Sequence, residues 1–431
     1  MYDLAGEARA SGPMATDGTK VSVFGLGYVG LPVATVLAGR GFEVVGVEVN
    51  DRAVELVNQG RIHIVEPDLD MLVNAAVSAG KLRATKTPEA SEVFVIAVPT
   101  PFTDTMEPDL SYIRSAAQTI APVLAPGNLV VLESTVPVGA TEQLAHWLAE
   151  ARPDLHLPEP TSETNDVYVA HCPERVLPGN VLNEIVNNDR IVGGVTRACA
   201  IRATSFYRSF VNAEIYPTSA RTAELVKLVE NASRDVSIAF ANELSGICDE
   251  LGVNVWETID LANRHPRVNI LKPGPGVGGH CIAVDPWFII SAVGEGAKML
   301  RCAREINQEK PRRVFDKIRR AAERFRDPQI ACLGLTYKAN IDDMRESPAL
   351  AIVKRLAEEN VGQLHVVEPN VAELPAGLRD SPNVRLTGLR DAINVADVVV
   401  VLVDHRQFTV LDPDTLQEKI TIDTRGILRR K

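Results

Sequence analysis

Residues 21–24 are a short apolar run, Val21-Ser22-Val23-Phe24, and it leads directly into Gly25-Leu26-Gly27-Tyr28-Val29-Gly30 and a helical pattern from Leu31 to Arg40. Strand, G-x-G-x-x-G and helix in that order constrain the chain to open with a nucleotide-binding βαβ unit. Gly25 makes the turn, Gly27 lets the backbone approach a pyrophosphate, and Gly30 lets helix pack closely on strand, with the helix N-terminus facing the anion. Pro32 sits in the first helical turn, where its missing N–H costs little. A second strand, Glu43 to Val49, ends near Glu48. An acidic side chain there accepts hydrogen bonds from both adenosine ribose hydroxyls and repels a 2′-phosphate, so the expected cofactor is NAD and not NADP.

Further βα units follow. Val93–Val98 runs into Pro99-Thr100-Pro101, and Leu129–Leu132 runs into Glu133-Ser134-Thr135-Val136-Pro137-Val138-Gly139. Both place hydroxyls at carboxyl ends of strands, where open α/β sheets bind ligands, so Thr100 and Thr135 are candidate cofactor contacts or else turn and capping residues. A run at 167–170 leads into His171-Cys172-Pro173-Glu174-Arg175-Val176-Leu177-Pro178-Gly179, where Glu174 and Arg175 either line a site or form a surface loop.

From Arg221 to Leu251 the pattern is a long helix without proline, apolar on more than one stripe, which points to burial between domains or subunits. Lys227, Asn231 and Arg234 or Asp235 share one of its faces, as site residues or as a solvated surface. After a basic helix near 305–325, a strand at Gln329–Leu333 opens a second α/β unit through Gly334-Leu335-Thr336-Tyr337-Lys338. A helix at 349–358 and strands at 364–367 and 398–403 follow. One glycine stands where a dinucleotide fingerprint needs three, so this half suits a mononucleotide, with Lys338 and Arg345 available for phosphate. No short internal repeat or low-complexity tract stands out.

Composition narrows the function. A formal net charge of −11 and a pI near 5.4 argue against nucleic acid or an anionic membrane as partner. No apolar run approaches the roughly 20 residues of a membrane span, and residues 1–18 lack an apolar signal core; they read as a disordered extension of a cytoplasmic protein. The six cysteines lie far apart, without C-x-x-C spacing, so neither disulfides nor a metal is expected. Cys281 closes a run, Pro273-Gly274-Pro275-Gly276-Val277-Gly278-Gly279-His280-Cys281, that can fold close around a substrate, and it is either a buried inert thiol or a reactive one.

Together these motifs resemble the UDP-glucose/GDP-mannose dehydrogenase family from Val21 to Arg425. Three segments carry most of the likeness: Gly60-Arg61-Ile62-His63-Ile64-Val65-Glu66-Pro67-Asp68-Leu69; the loop from Cys172 to Gly179; and the block from Asn263-Arg264-His265-Pro266-Arg267-Val268-Asn269 through Cys281 to Asp285-Pro286-Trp287. The resemblance implies a four-electron oxidation at C6 of a UDP-sugar with two NAD⁺, expected on UDP-N-acetyl-D-mannosamine, with UDP-glucose or UDP-GlcNAc as alternatives. By the same resemblance, the product is expected to feed cell-envelope polysaccharide synthesis. A two-electron β-hydroxyacid-type dehydrogenase is the rival class and needs neither the thiolate nor the C-terminal half.

By resemblance, Cys281 is the nucleophile, Lys227 the proton donor and acceptor, Asn231 the group that helps hold the oxyanion, and Asp285, with Thr135 nearby, the carboxylate that assists water. Glu174 is a further polar group of the catalytic pocket. Substrate contacts carried over are Arg175, Val176, Lys227, Asn231, Arg234, His265, Arg267, Gly278, Tyr337, Lys338 and Arg425, with His265 and Arg267 reaching a neighbouring subunit's site. Cofactor contacts are Gly25, Gly27, Tyr28, Val29, Gly30, Glu48, Thr100, Thr135 and Arg345; Glu48 departs from the family's usual Asp. The implied architecture is α/β, with two Rossmann-like doubly wound sheets joined by a long-helix central domain. Its parts are an NAD-binding domain at 19–216, a central helical domain with the Cys loop at 217–310, and a UDP-sugar-binding domain at 311–431. A homodimer or higher homo-oligomer is expected through the long helix.

Overall fold

A computed structural model describes Gly6 and residues 12–428, apart from Val65, 104–106, Glu163, 177–178 and His280. The chain divides into two compact units, Met1–Val229 and Glu230–Lys431.

In the first unit eight strands form one sheet: β1 (Lys20–Phe24), β2 (Glu43–Val47), β3 (Leu82–Thr85), β4 (Val93–Ile96), β5 (Leu129–Leu132), β6 (Tyr168–His171), β7 (Arg190–Gly194) and β8 (Ile215–Ser219). Their order is β3-β2-β1-β4-β5-β6-β7-β8. All neighbours are parallel except β6 and β7, which are antiparallel. The strands are apolar because both sheet faces are covered. Side chains alternate between the two layers: Val21, Val23, Val93, Val95, Leu129 and Val131 enter one core, and Phe24, Phe94, Ile96, Val130 and Leu132 the other. The order reverses between β1 and β4, which opens the ligand crevice at the carboxyl ends of these strands.

The helices that position the site are α1 (Gly30–Gly39), α2 (Ala140–Ala151), α3 (Val181–Asn187), α4 (Arg197–Tyr207), α5 (Ala220–Leu251), α6 (Asp285–Val293), α7 (Lys298–Ala322) and α8 (Pro348–Glu358). The boundary between the units falls inside α5. In the second unit a five-stranded, all-parallel sheet runs β11-β10-β9-β12-β13. Its strands are β9 (Gln329–Leu333), β10 (Gln363–Val367), β11 (Val384–Leu386), β12 (Val398–Val401) and β13 (Ile420–Asp423). It too is apolar on both faces.

The two sheets repeat one local device. Gly25 N–H donates to the Val47 carbonyl at 2.9 Å, and Leu26 and Asn50 N–H donate to the Glu48 carboxylate at 2.9 and 3.0 Å. In the second sheet Gly334 N–H donates to the Val367 carbonyl at 2.9 Å, and Leu335 and Asn370 N–H to the Glu368 carboxylate at 2.7 and 3.1 Å. The residues correspond as Gly-Leu-x-Tyr followed by Val-Glu-x-Asn in both halves. The pattern has no fixed period, because its two pieces are separated by different chain lengths in the two halves. Residues 1–5 and 7–11 of the expected extension lie outside the described residues. The part from 12 to 18 is not free chain: Met14 N–H donates to Ser205 O at 2.9 Å, Ser205 Oγ donates to Gly12 O at 2.8 Å, and Met14 packs on the core.

Candidate active site

The fingerprint loop leaves room for a pyrophosphate. A Cβ on Gly30 would fall 1.8 Å from the Gly25 carbonyl oxygen, so α1 could not pack there with any side chain, whereas one on Gly27 would meet no described atom within 4 Å. The second glycine therefore presents bare backbone to open space at the head of α1, and NAD fits this donor set. Tyr28 is exposed and Val29 half-buried beside it. Glu48 is half-buried, and its oxygens keep lone pairs beyond the two backbone bonds they accept, so the carboxylate can still receive ribose hydroxyls. Thr100 Oγ1 donates to the Thr135 carbonyl at 2.6 Å, which ties the ends of β4 and β5 together where both were expected to face cofactor.

Below the next strand ends lies a polar cluster that sequence reasoning only partly anticipated. Because β7 runs antiparallel to β6, its first residue, Arg190, lies beyond the carboxyl end of β6. There Nη1 donates to Glu174 Oε2 at 2.8 Å, with side-chain exposures of 3% and 6%. Glu174 is therefore a buried, ion-paired carboxylate whose other oxygen takes the Arg175 N–H at 2.7 Å. Tyr207, at the end of α4, donates its hydroxyl to Glu133 Oε1 at 2.6 Å. Complete burial, then the nearby Glu174 charge, push the Glu133 carboxyl up to about 7, against the pull of Arg190 and the Tyr207 hydrogen bond. Burial pushes His171 down to about 3, so it is a neutral core imidazole, and pushes the Cys172 thiol up to about 12.

The loop carrying Arg175 and Val176 is held from a distance. Glu66, buried, accepts the N–H groups of Gly179 and Val181 at 2.8 Å each, capping the start of α3 and closing the loop. The resemblance of the run 60–69 implies no role for this carboxylate; an acid before Pro67 in an apolar stretch is the signal the sequence offers. Arg175 reaches the Asp189 carbonyl, and Val176 packs against the core. Glu224 on α5 accepts the N–H groups of Gly139 and Thr141 at 2.6 and 2.7 Å and so pins the turn that follows Thr135. Lys227, one turn on, is half-buried.

In the second unit Cys281 and Cys302 are exposed, unlike Cys172, Cys199, Cys248 and Cys332. Asp285, buried as the first residue of α6, accepts a 2.5 Å hydrogen bond from Asn231 Nδ2. The approach to Cys281 is pressed against the second sheet: a Cβ on Gly278 would come within 2.5 Å of the Glu346 carbonyl oxygen and 2.9 Å of Tyr337 Cβ. Only glycine fits between those groups, so substitution would displace the thiol loop or Tyr337. His280 lies outside the described residues. Arg425 stands at the head of the same loop, its Nη1 2.8 Å from where a Gly274 Cβ would sit, and its Nε donates to Asp404 at 2.9 Å.

Family models for three consecutive domains match this chain. They are the NAD-binding domain of the UDP-glucose/GDP-mannose dehydrogenase family over residues 19–211, its central domain over 221–309, and its UDP-binding domain over 331–430. The chain belongs to the UDP-glucose/GDP-mannose dehydrogenase family. It is an NAD-dependent nucleotide-sugar dehydrogenase. It is 61% identical over 411 residues, 95% of this chain and 96% of the relative, to an NDP-N-acetyl-D-galactosaminuronic acid dehydrogenase of Ralstonia nicotianae. To a UDP-N-acetyl-D-mannosamine dehydrogenase of Campylobacter jejuni it is 56% identical over 396 residues, 92% of this chain and 97% of the relative. The solved UDP-N-acetyl-mannosamine dehydrogenase of S. aureus superposes with a TM-score of 0.84 at 40% identity, covering 96% of each chain.

Other expected contacts of the dehydrogenase are placed as follows. Arg234, His265, Arg267 and Lys338 are exposed, and Tyr337 is half-buried against the glycine run. Arg345, expected at the cofactor, lies in the second unit in a bidentate pair with Asp343 at 2.7–2.9 Å. In the second sheet His405 Nδ1 accepts the Asn340 N–H at 2.9 Å, which assigns the proton to Nε2, 3.1 Å from Glu368. Glu368 is thus buried against His405, where Glu48 is half-buried with lone pairs still accessible. Among the described residues no cluster of three or more His, Cys, Asp or Glu is placed to hold a metal, and no helix is long and apolar enough to cross a membrane.

Proposed function

We propose that this dehydrogenase oxidises UDP-N-acetyl-D-mannosamine at C6 to UDP-N-acetyl-D-mannosaminuronate, through a thioester on Cys281. The observation that carries the chemistry is an exposed thiol four residues before a buried Asp285 that Asn231 holds at 2.5 Å. Bound NAD⁺ supplies the acceptor for each of two hydrides. Lys227 takes the C6 hydroxyl proton in the first oxidation. The aldehyde then has no second hydride to lose until a nucleophile adds, and the Cys281 thiolate forms a C–S bond to C6. Lys227 and Asn231 hold the alkoxide of this adduct; its lone pair reforms the carbonyl as the second hydride leaves, and a thioester results. Water, aided by Asp285, adds to the thioester, the C–S bond breaks and the thiolate returns. One alcohol, two NAD⁺ and one water give one carboxylate, two NADH and three protons.

The choice of sugar is supported by relatives named for UDP-N-acetyl-D-mannosamine at 52–56% identity. The 61% relative favours a second reading, a nucleotide-linked N-acetyl-D-galactosamine as the alcohol. Purified enzyme given UDP-ManNAc, UDP-GalNAc, UDP-GlcNAc and UDP-glucose separately tests both. The expected result is the highest kcat/KM for UDP-ManNAc with two NADH per sugar. Preference for UDP-GalNAc transfers the assignment, and one NADH per sugar ends the four-electron mechanism. Cys281→Ala is expected to abolish acid formation while retaining UDP-sugar binding. We propose the cytoplasm, with its NAD and nucleotide-sugar pools, as the compartment, and a homodimer or higher homo-oligomer built on α5 as the assembly.

A further inference from the structure

The loop from Gly274 to Asp285 is bound at both ends to one face of α5. At its far end is the Asn231–Asp285 bond; at its near end the buried Gly274 N–H donates to Asn242 Oδ1 at 2.9 Å. Asn231 and Asn242 are eleven residues apart, three helical turns and roughly 16 Å, so they lie on the same side of the helix. We infer that Asn242 is a positioning residue for Cys281, registering the thiol loop against the helix that also carries Asn231.

The Asn242 amide can point only one way. Its Nδ2 donates to Asn307 Oδ1 at 2.9 Å, and Asn307 Nδ2 in turn donates to Asp235 Oδ1 at 2.8 Å. Arg304 Nη1 donates to the same oxygen at 2.7 Å. A carboxylate facing an arginine accepts and cannot donate, so Asp235 sets the sense of each amide and leaves the Asn242 oxygen for Gly274. Asp235, Asn242, Arg304 and Asn307 are each at most 3% exposed. An apolar seam between α5 and α7 would hold these helices with less desolvation, which is why the polar chain points to geometry more than to stability.

The inference rests on the reading of Cys281 as nucleophile, and the experiment separates the two. Full-length Asn242→Leu and Asn307→Ala are assayed for alcohol oxidation and, with the UDP-sugar C6 aldehyde supplied, for aldehyde oxidation. Deuterium exchange is followed in the 270–284 peptide. In Asn242→Leu the expected result is faster exchange and an aldehyde-step kcat lowered at least about tenfold, with KM for NAD unchanged, since small misplacements of a reacting group cost that much or more. Asn307→Ala, which leaves Asn242 in place but free to flip, is expected to show the same signature more weakly and covers the case in which Asn242→Leu does not fold. A lower Tm with both half-reactions unchanged per folded molecule in these variants overturns the inference. Aldehyde oxidation by Cys281→Ala would instead sink the covalent mechanism, while the exchange data would still report on the loop.

Discussion

Glu133 and Glu174 share one dry pocket in the first unit but meet it differently. Glu174 is ion-paired with Arg190, while burial and then the Glu174 charge hold the Glu133 carboxyl above its ordinary range, against the pull of Arg190 and the Tyr207 hydrogen bond. Its folded value, about 7, lies above the ordinary value of 4.5. Folding therefore takes up a proton between these limits: the stabilisation is fully present below about 4.5 and is lost as pH rises through about 7, an effect of order 3 kcal/mol. Glu133→Gln keeps an acceptor for Tyr207 and removes the titration. Urea unfolding of both proteins at pH 5 and 8 is expected to show wild type losing stability relative to the variant as pH rises; parallel curves would contradict this. The pair was not legible in the sequence, because Glu133 and Tyr207 are 74 positions apart and neither belongs to a local pattern. The neighbours of Cys281 alone leave two readings open; its exposure, shared only with Cys302 among the six cysteines, is compatible with the reactive one, and the Asn231–Asp285 bond four residues on separates it from Cys302.

Elements with a strong period were the most legible. The long helix expected over 221–251 forms as Ala220–Leu251, and the strands at 93–98 and 129–132 form at Val93–Ile96 and Leu129–Leu132. The short strands β3, β7, β8, β11 and β13 are not legible in the sequence; β7 contains two glycines and β8 a proline, which dilute the apolar signal. Without β7 in place, Glu174 could be assigned only a loop, since the arginine that buries it stands 16 residues on. The Glu66 latch acts on an element too, because it joins loop and helix start with one carboxylate. Glu66→Gln replaces an acceptor with an N–H donor facing another donor, so the loop bearing Arg175 and Val176 should loosen. We expect KM for the UDP-sugar to rise about tenfold with KM for NAD unchanged, the cost of one charge-assisted hydrogen bond; an unchanged sugar KM in steady-state assays would separate the latch from substrate binding.

At the scale of the whole molecule, α5 is amphipathic in an inverted sense. With 3.6 residues per turn, Asn231, Asp235, Asn242 and Ser245 fall within about 80° of one another, while Phe240, Ile247 and Leu251 lie on the opposite side. Asp235, Asn242 and Ser245 are buried, whereas Phe240, Ile247 and Leu251 are 54%, 46% and 71% exposed. This apolar stripe is the face on which the proposed homodimer or higher homo-oligomer would be built. Phe240→Asp is predicted to shift the mass in light scattering toward monomer, and a mass unaltered from wild type would move the interface elsewhere. The repeated loop-and-carboxylate clamp of the two sheets has another use. The second half lacks the glycine spacing by which dinucleotide domains are usually found, yet it keeps the backbone bonds from Gly334 and Leu335 to Val367 and Glu368. One clamp thus serves both loops, and only the exposure of its carboxylate differs: Glu48 is half-buried, whereas Glu368 is buried against His405. Within this chain the pairing Gly-Leu-x-Tyr with Val-Glu-x-Asn marks both halves, whereas the glycine spacing marks only the first.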